Sequence, residues 1–242
     1  MKQLKKHIIP ILHALKTIHH SIGAVLSAPA KIVEQEKDWK FLTTVYPTLH
    51  EFFSKKIILT KKLKSAYEDY VTNYSAPLIS MSLSRGVFLY YFCQTIKPNT
   101  ILDLGSGFSS YVFRSYANGD VKVISVDDSK FWLNETKVFL EKYEVQTNNL
   151  LTWECYEKST DKNFDLAFLD IGNLDFRLKI LPELLEDIKS HGGILIVDDY
   201  HVPHYRKSIN QLCQAKGLNI ISLRKVTRTR LNHNAMIYSK LV

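Results

Sequence analysis

Four short stretches bring together residue types that do chemistry. The run ILIVDDYHVPHY stops on two adjacent carboxylates, Asp198 and Asp199, followed by Tyr200, His201 and, beyond Pro203, His204. A carboxylate pair can hold a cation. A histidine, titrating near neutrality, can take a proton from a hydroxyl or an amine. The stretch ILDLGSGFSS places Asp103 just ahead of Gly105, with Ser106, Gly107, Ser109 and Ser110 after it. Glycines there allow a tight turn and a close approach of backbone to ligand, and a helix opening after them offers free N–H groups. The third glycine of the dinucleotide fingerprint is missing. Asp103 adds a carboxylate that a diphosphate avoids and an ammonium group accepts. VISVDD ends on Asp127 and Asp128, about twenty residues past the glycines, where a carboxylate can accept both hydroxyls of a ribose. Asp128 or Ser129 suits the cap of the next helix better than Asp127 does. FDLAFLD ends on Asp170.

All four groups close or follow short apolar runs, and that placement constrains the fold. Runs this short and this aliphatic read as strands covered on both faces. From TILDL onward they alternate with helical segments: SSYVFRSYA after the glycines, SKFWLNETKVFLEKY after VKVISV, DFRLKILPELLEDIKS after FDLAFLD and YRKSINQLCQAK after GILIVDD. NLLTWECY reads as the third strand, and NIISLRKV and HNAMIYSKL as the last two. Such alternation implies right-handed crossovers and a mainly parallel sheet, with ligands beyond the carboxyl ends of its strands. No helix separates the last two strands, so they form a hairpin and the final one runs antiparallel. The expected fold is α/β: a doubly wound seven-stranded sheet with an antiparallel last strand, preceded by a helical layer. Residues 1–80 are assigned to a helical cap or docking region and 81–242 to the α/β domain.

At 242 residues and 45% hydrophobic content, the chain can bury one substantial core. A net charge of +8 and a pI near 9.2 favour anionic partners, whether nucleic acid, phosphorylated metabolites or a membrane surface. Cys93, Cys155 and Cys213 are odd in number and widely spaced, which indicates neither a disulfide framework nor a zinc cluster and points to a reducing, cytoplasmic setting. The N-terminus resembles a signal peptide in its basic start, but His13, Lys16, His19 and His20 interrupt its apolar stretch. Leu4, Ile8, Ile11, Leu15, Ile18, Ile22 and Val25 instead mark one stripe of an amphipathic helix. That helix could pack on its own domain, form a dimer contact or lie on a membrane surface. Lys55, Lys56, Lys61, Lys62 and Lys64 form a cluster, either a solvated face or an anion-binding one. No apolar run is long enough to span a bilayer.

From about Ile79 to Leu241 the sequence resembles the class I S-adenosylmethionine-dependent methyltransferases, whose domain is Rossmann-like. The resemblance rests on Asp103-Leu-Gly105-Ser-Gly107, on Asp127, and on the strands FDLAFLD and GGILIVDD with the closing hairpin. It implies S-adenosylmethionine as cofactor, bordered by Gly105, Ser106, Gly107, Ser109 and Asp170, with Asp103 near its ammonium group and Asp127 on its ribose. Tyr156 or Glu157 stands where the family has an acidic residue beside the adenine.

Two mechanisms remain open within the family. In cation-dependent O-methyltransferases, carboxylates at the positions of Asp170, Asp198 and Asp199 hold a divalent cation such as Mg²⁺ against the acceptor hydroxyls. That family's lysine beyond the first carboxylate is Asn173 here. In the metal-free alternative His201 is the general base, with one of the adjacent carboxylates, Asp199 foremost, orienting it. The expected acceptor is a small molecule carrying a hydroxyl, with Arg85 a contact for an anionic group. An NAD-dependent oxidoreductase, an rRNA O-methyltransferase and a cofactor-binding module recruited by the basic helices are the competing classes.

Overall fold

The computed structural model describes residues 28–77, 79–159, 162–229 and 236–239. The amphipathic stripe expected before Ala28 lies outside the described residues. The chain opens with helix α1 (Ala28–Val45) and a 3-10 turn at Pro47–Glu51, where the proline ends the helical periodicity. Helix α2 (Phe52–Asp69) runs into a π-helical turn at Tyr70–Tyr74, and α3 (Leu83–Ile96) follows. The alternating part comprises β1 (Thr100–Leu104), α4 (Phe108–Ala117), β2 (Lys122–Asp127), α5 (Lys130–Lys142) and β3 (Leu150–Thr152). It continues with α6 (Trp153–Glu157), β4 (Leu166–Leu169), α7 (Leu174–His191), β5 (Ile194–Val197) and α8 (Pro203–Ala215). Strand β6 (Asn219–Ser222), a short helix α9 (Arg224–Thr227) and β7 (Met236–Ser239) complete it.

Two segments read as strands are shorter than expected. WECY folds into α6, because Thr152 Oγ1 accepts the backbone N–H of Cys155 at 3.4 Å and caps a helix where a strand is expected to continue. NIISLRKV leaves the sheet after Ser222 and turns into α9.

The sheet order is β3-β2-β1-β4-β5-β7-β6, with β7 antiparallel to both its neighbours and all other pairs parallel. The order reverses between β1 and β4, so the switch point, where ligands enter such sheets, lies between Leu104 and Leu169. Side chains alternate strictly across the sheet. Ile101, Val123, Leu166, Phe168, Ile194 and Ile196 face α1 to α4, whereas Leu102, Leu104, Ile124, Val126, Leu169 and Val197 face α6 to α8. Strands buried on both faces cannot show the apolar-polar alternation of a half-exposed strand, which is why their sequences are almost wholly aliphatic.

The N-terminal layer shares the first of these cores. Phe52 on α2 is fully buried and meets Phe88 of α3 edge-on at 5.6 Å, with Trp39 of α1 at 6.2 Å and Tyr91 at 5.6 Å. Among the described residues no helix is long and apolar enough to cross a membrane. Because one core joins the helical layer to the sheet, Phe52→Ala is expected to lower unfolding free energy by about 3–5 kcal/mol while keeping one transition. Urea unfolding followed by circular dichroism checks this; a loss below about 1 kcal/mol, or a separate early transition, contradicts it.

Candidate active site at the carboxyl ends of the strands

Strand β1 ends in a turn that only glycine fits. Gly105 has φ of 110°, and a Cβ there would lie 2.6–2.8 Å from the backbone of Asp170 and Ile171, so the turn packs directly on the end of β4. At Gly107 an added Cβ would meet the hydroxyl of Tyr70 at 2.7 Å. The N-terminal layer therefore reaches the glycine turn through the π-turn that ends α2.

Beneath this turn Asp103 is fully buried. Its Oδ2 accepts hydrogen bonds from Ser110 Oγ at 2.5 Å and Ser125 Oγ at 2.9 Å. Ser125 Oγ in turn accepts from Arg114 Nη1 at 2.6 Å, so a buried guanidinium compensates the carboxylate through one hydroxyl. Asp103 Oδ1 has no hydrogen-bond partner among the described residues. Burial pushes the Asp103 carboxyl above its ordinary range, against the pull of its serine donors and Arg114. Burial also lowers Arg114, to about 10, which leaves it protonated at neutral pH.

Asp127 closes β2 beside the turn. Its Oδ2 accepts from both Ser106 N and Ser106 Oγ at 2.8 Å, and its Oδ1 accepts from Ser129 N at 2.9 Å. A carboxylate offers roughly four acceptor positions, so one stays open. Burial raises its pKa to about 6, with these three donors opposing the shift. Ser106 orients Asp127, and the buried Ser109 donates to the Gly105 carbonyl at 3.2 Å. Tyr70 is buried over the same group, and burial together with the charges of Asp127 and Asp103 pushes its phenol above its ordinary range.

The carboxylates at the ends of β4 and β5 are held differently from the metal-binding expectation. Asp198 is buried and pairs with Arg85 Nη1 at 2.5 Å. Asp170 Oδ1 pairs with Arg177 Nη2 at 2.8 Å, and Asp199 Oδ2 with Arg177 Nη1 at 3.1 Å. Arg177 also donates to the carbonyls of Ile171 and Asp170, each at 2.9 Å, so one side chain ties the β4 and β5 loops together. Burial disfavours the charge on Arg177, but Asp170 and Asp199 outweigh it and hold the guanidinium firmly protonated. Burial pushes Asp170 and Asp198 upward, against Arg177 and Arg85 respectively.

The expectation of a metal at Asp170, Asp198 and Asp199 meets these pairings instead. One oxygen of each carboxylate is paired with a guanidinium, and no cluster of three or more ligand-type side chains is arranged to hold a metal among the described residues. Arg85, expected to contact an anionic group, donates through Nη1 to Asp198, while its buried Nε and Nη2 have no hydrogen-bond partner among the described residues.

Asp198 Oδ1 accepts the Asp199 N–H at 2.6 Å, and Asp199 itself adopts the left-handed conformation at φ 57°. That turn brings Asp199 Oδ1 to 3.7 Å from His201 Nδ1. His204 does not join them; it is exposed in the first turn of α8. Tyr200 packs inward and donates to Asn210 Oδ1 at 2.8 Å. Tyr156 is buried against Trp153, their rings 5.7 Å apart, and Glu157 is exposed.

Arg177, Arg114, Ser125 and Tyr70 were missed in the sequence. The only signal for Arg177 was a cation in the first turn of a helix, where the helix dipole disfavours positive charge. Tyr70 carried none, because nothing local predicts which distant turn an aromatic will cover.

No family model matches the sequence, and no curated protein matches it. Solved structures do. The S-adenosylhomocysteine-bound methyltransferase PaMTH1 of Podospora anserina is 15% identical over 73% of this chain and 86% of its own, with a TM-score of 0.54. The O-methyltransferase TomG of Streptomyces achromogenes, involved in tomaymycin synthesis and solved with S-adenosylmethionine, is 15% identical over 85% and 97%, with a TM-score of 0.54. The O-methyltransferase of Bacillus cereus in complex with S-adenosylhomocysteine gives 15%, 75% and 89%, and 0.53. At these identities the likeness concerns backbone architecture: the chain has the fold of the class I S-adenosylmethionine-dependent O-methyltransferases.

Proposed function

We propose that this protein transfers the methyl group of S-adenosylmethionine to a hydroxyl oxygen of a small-molecule acceptor, without a divalent cation. The observation that carries the reading is Asp103: a fully buried carboxylate beneath a turn with no room for a Cβ, with one oxygen lacking a protein partner. A buried acceptor without a donor is costly, and the ammonium group of a bound cofactor would satisfy it. Asp127 keeps one acceptor position for a ribose hydroxyl. A pyrophosphate would meet Asp103 instead, which disfavours a nicotinamide dinucleotide. Structures similar to this chain include proteins solved with S-adenosylmethionine or S-adenosylhomocysteine, which supports the same reading.

When bound, the cofactor supplies a methyl group activated by a sulfonium. The chain's own residues then have three tasks. Asp103, Gly105, Gly107 and Asp127 bind and orient it. Arg85 and Arg177, tied to the carboxylates at the ends of β4 and β5, form a rigid floor beneath it. His201 takes the acceptor's proton at Nε2 while Asp199, fixed by Arg177, faces Nδ1 and stabilises the imidazolium that forms. Methyl transfer depends chiefly on alignment, so a positioned base and a rigid floor suffice.

Two expectations follow. His201→Ala should lower kcat by about 10²–10⁴-fold, measured as S-adenosylhomocysteine release with a hydroxyl acceptor found by screening, while leaving cofactor affinity unchanged. An unchanged kcat contradicts the base assignment. Cofactor affinity should also fall as pH drops below about 6, by up to about tenfold per unit, because Asp127 then takes up a proton. Calorimetric titrations across pH check this, and Asp127→Asn should bind weakly at every pH with a flattened profile. In the unliganded protein the sign reverses. The folded state holds the Asp127 proton more tightly than the unfolded one, so its contribution to stability is present at low pH and is lost as pH rises from about 4 to about 6.

A further inference from the structure

The net charge of the chain is confined to one end. Residues 1–64 contain twelve lysines against four acidic residues, and residues 65–242 contain twenty basic against twenty acidic, so the whole +8 belongs to the N-terminal portion. The composition there is equally one-sided, because no arginine occurs before Arg85.

The same portion carries most of the exposed apolar surface. Among the described residues six of the nine exposed large hydrophobics lie between Val33 and Ile58, on α1 and α2. On α2 the buried stripe is Phe52, Leu59, Leu63 and Ala66. The opposite face presents Ile57 and Ile58, 68% and 67% exposed, with Phe53 at 44% and the exposed lysines Lys61 and Lys64. This is inverted from the usual solvated helix, whose outer face is polar throughout. Two isoleucines at two-thirds exposure contribute nothing to the core, and their presence beside a lysine row calls for a partner that is apolar and anionic at once.

We infer that the outer face of α2 docks the protein onto an anionic lipid surface. Lysine ammonium groups attract an anionic headgroup layer as point charges, and the isoleucines and Phe53 enter the boundary between headgroups and acyl chains. RNA is the poorer fit. Nucleic-acid recognition draws on arginine forks and on open stacking faces, whereas this surface offers lysines, two isoleucines and Phe53, whose ring packs against Trp39. The proposal stands apart from the methyltransferase assignment, since α2's outer face shares no residue with the strand-end site.

The test is co-sedimentation of the full-length chain with vesicles of phosphatidylcholine and phosphatidylserine, against vesicles of phosphatidylcholine alone. Binding is expected to the anionic vesicles, to weaken with added salt, and to fall about tenfold in Ile57→Ser/Ile58→Ser and in Lys61→Glu/Lys64→Glu. Both pairs are exposed, so thermal unfolding should match the parent, and either pair that stays folded tests the proposal. Equal sedimentation with the two vesicle types overturns it. So does binding that survives both pairs of substitutions, or a gel shift with RNA under salt conditions where the anionic vesicles do not bind.

Discussion

Everything at the strand ends depends on keeping buried carboxylates compensated by arginine. Asp103, Asp170, Asp198 and Asp199 lie at the carboxyl ends of β1, β4 and β5, and three guanidinium groups reach them from helices on both faces of the sheet. Removing one partner from a buried ion pair typically costs about 3–5 kcal/mol, because the other charge is left without compensation. Arg177 contributes more than charge, since its donors to the Ile171 and Asp170 carbonyls give the β4 loop a fixed shape. The left-handed turn at Asp199 persists within that frame, held by Asp198 on one side and Arg177 on the other.

The arrangement divides the site into two chemically distinct halves. Around β1 and β2 the carboxylates are bonded mainly to serine hydroxyls and backbone N–H groups, and they retain acceptor capacity: one oxygen of Asp103 and one position on Asp127. Around β4 and β5 one oxygen of each carboxylate is paired with a guanidinium, and Asp199 comes within 3.7 Å of His201 Nδ1. The first half can receive hydrogen-bond donors, and in the proposed mechanism the second steadies a base. The N-terminal layer contributes to the first half by placing Tyr70 over Gly107.

Much of this was legible in the sequence because the strands are short, doubly buried and punctuated by glycine. TILDL and FDLAFLD could be read as strands, and their terminal aspartates as site residues, from local pattern alone. What escaped were long-range relations. The guanidinium partners of the adjacent aspartates could not be foreseen, because Arg85 and Arg177 lie 113 and 22 positions away from them. No spacing rule links them. WECY was misread because the β-branched, aromatic stretch TWECY suits a strand until Thr152 caps a helix. The outer face of α2 was visible as a lysine cluster, but only the packing of Phe52, Leu59 and Leu63 shows that Ile57 and Ile58 are left outside.

In the proposed mechanism guanidinium groups take the place of a divalent cation while the β1–β2 half binds the cofactor. The direct measurement is calorimetric titration of the chelator-treated protein with S-adenosylmethionine, followed by Mg²⁺. Saturable cofactor binding without added metal, and no heat from Mg²⁺, is the predicted result. Cofactor binding that appears only with Mg²⁺, together with a Mg²⁺ heat that Asp198→Ala abolishes, would contradict it.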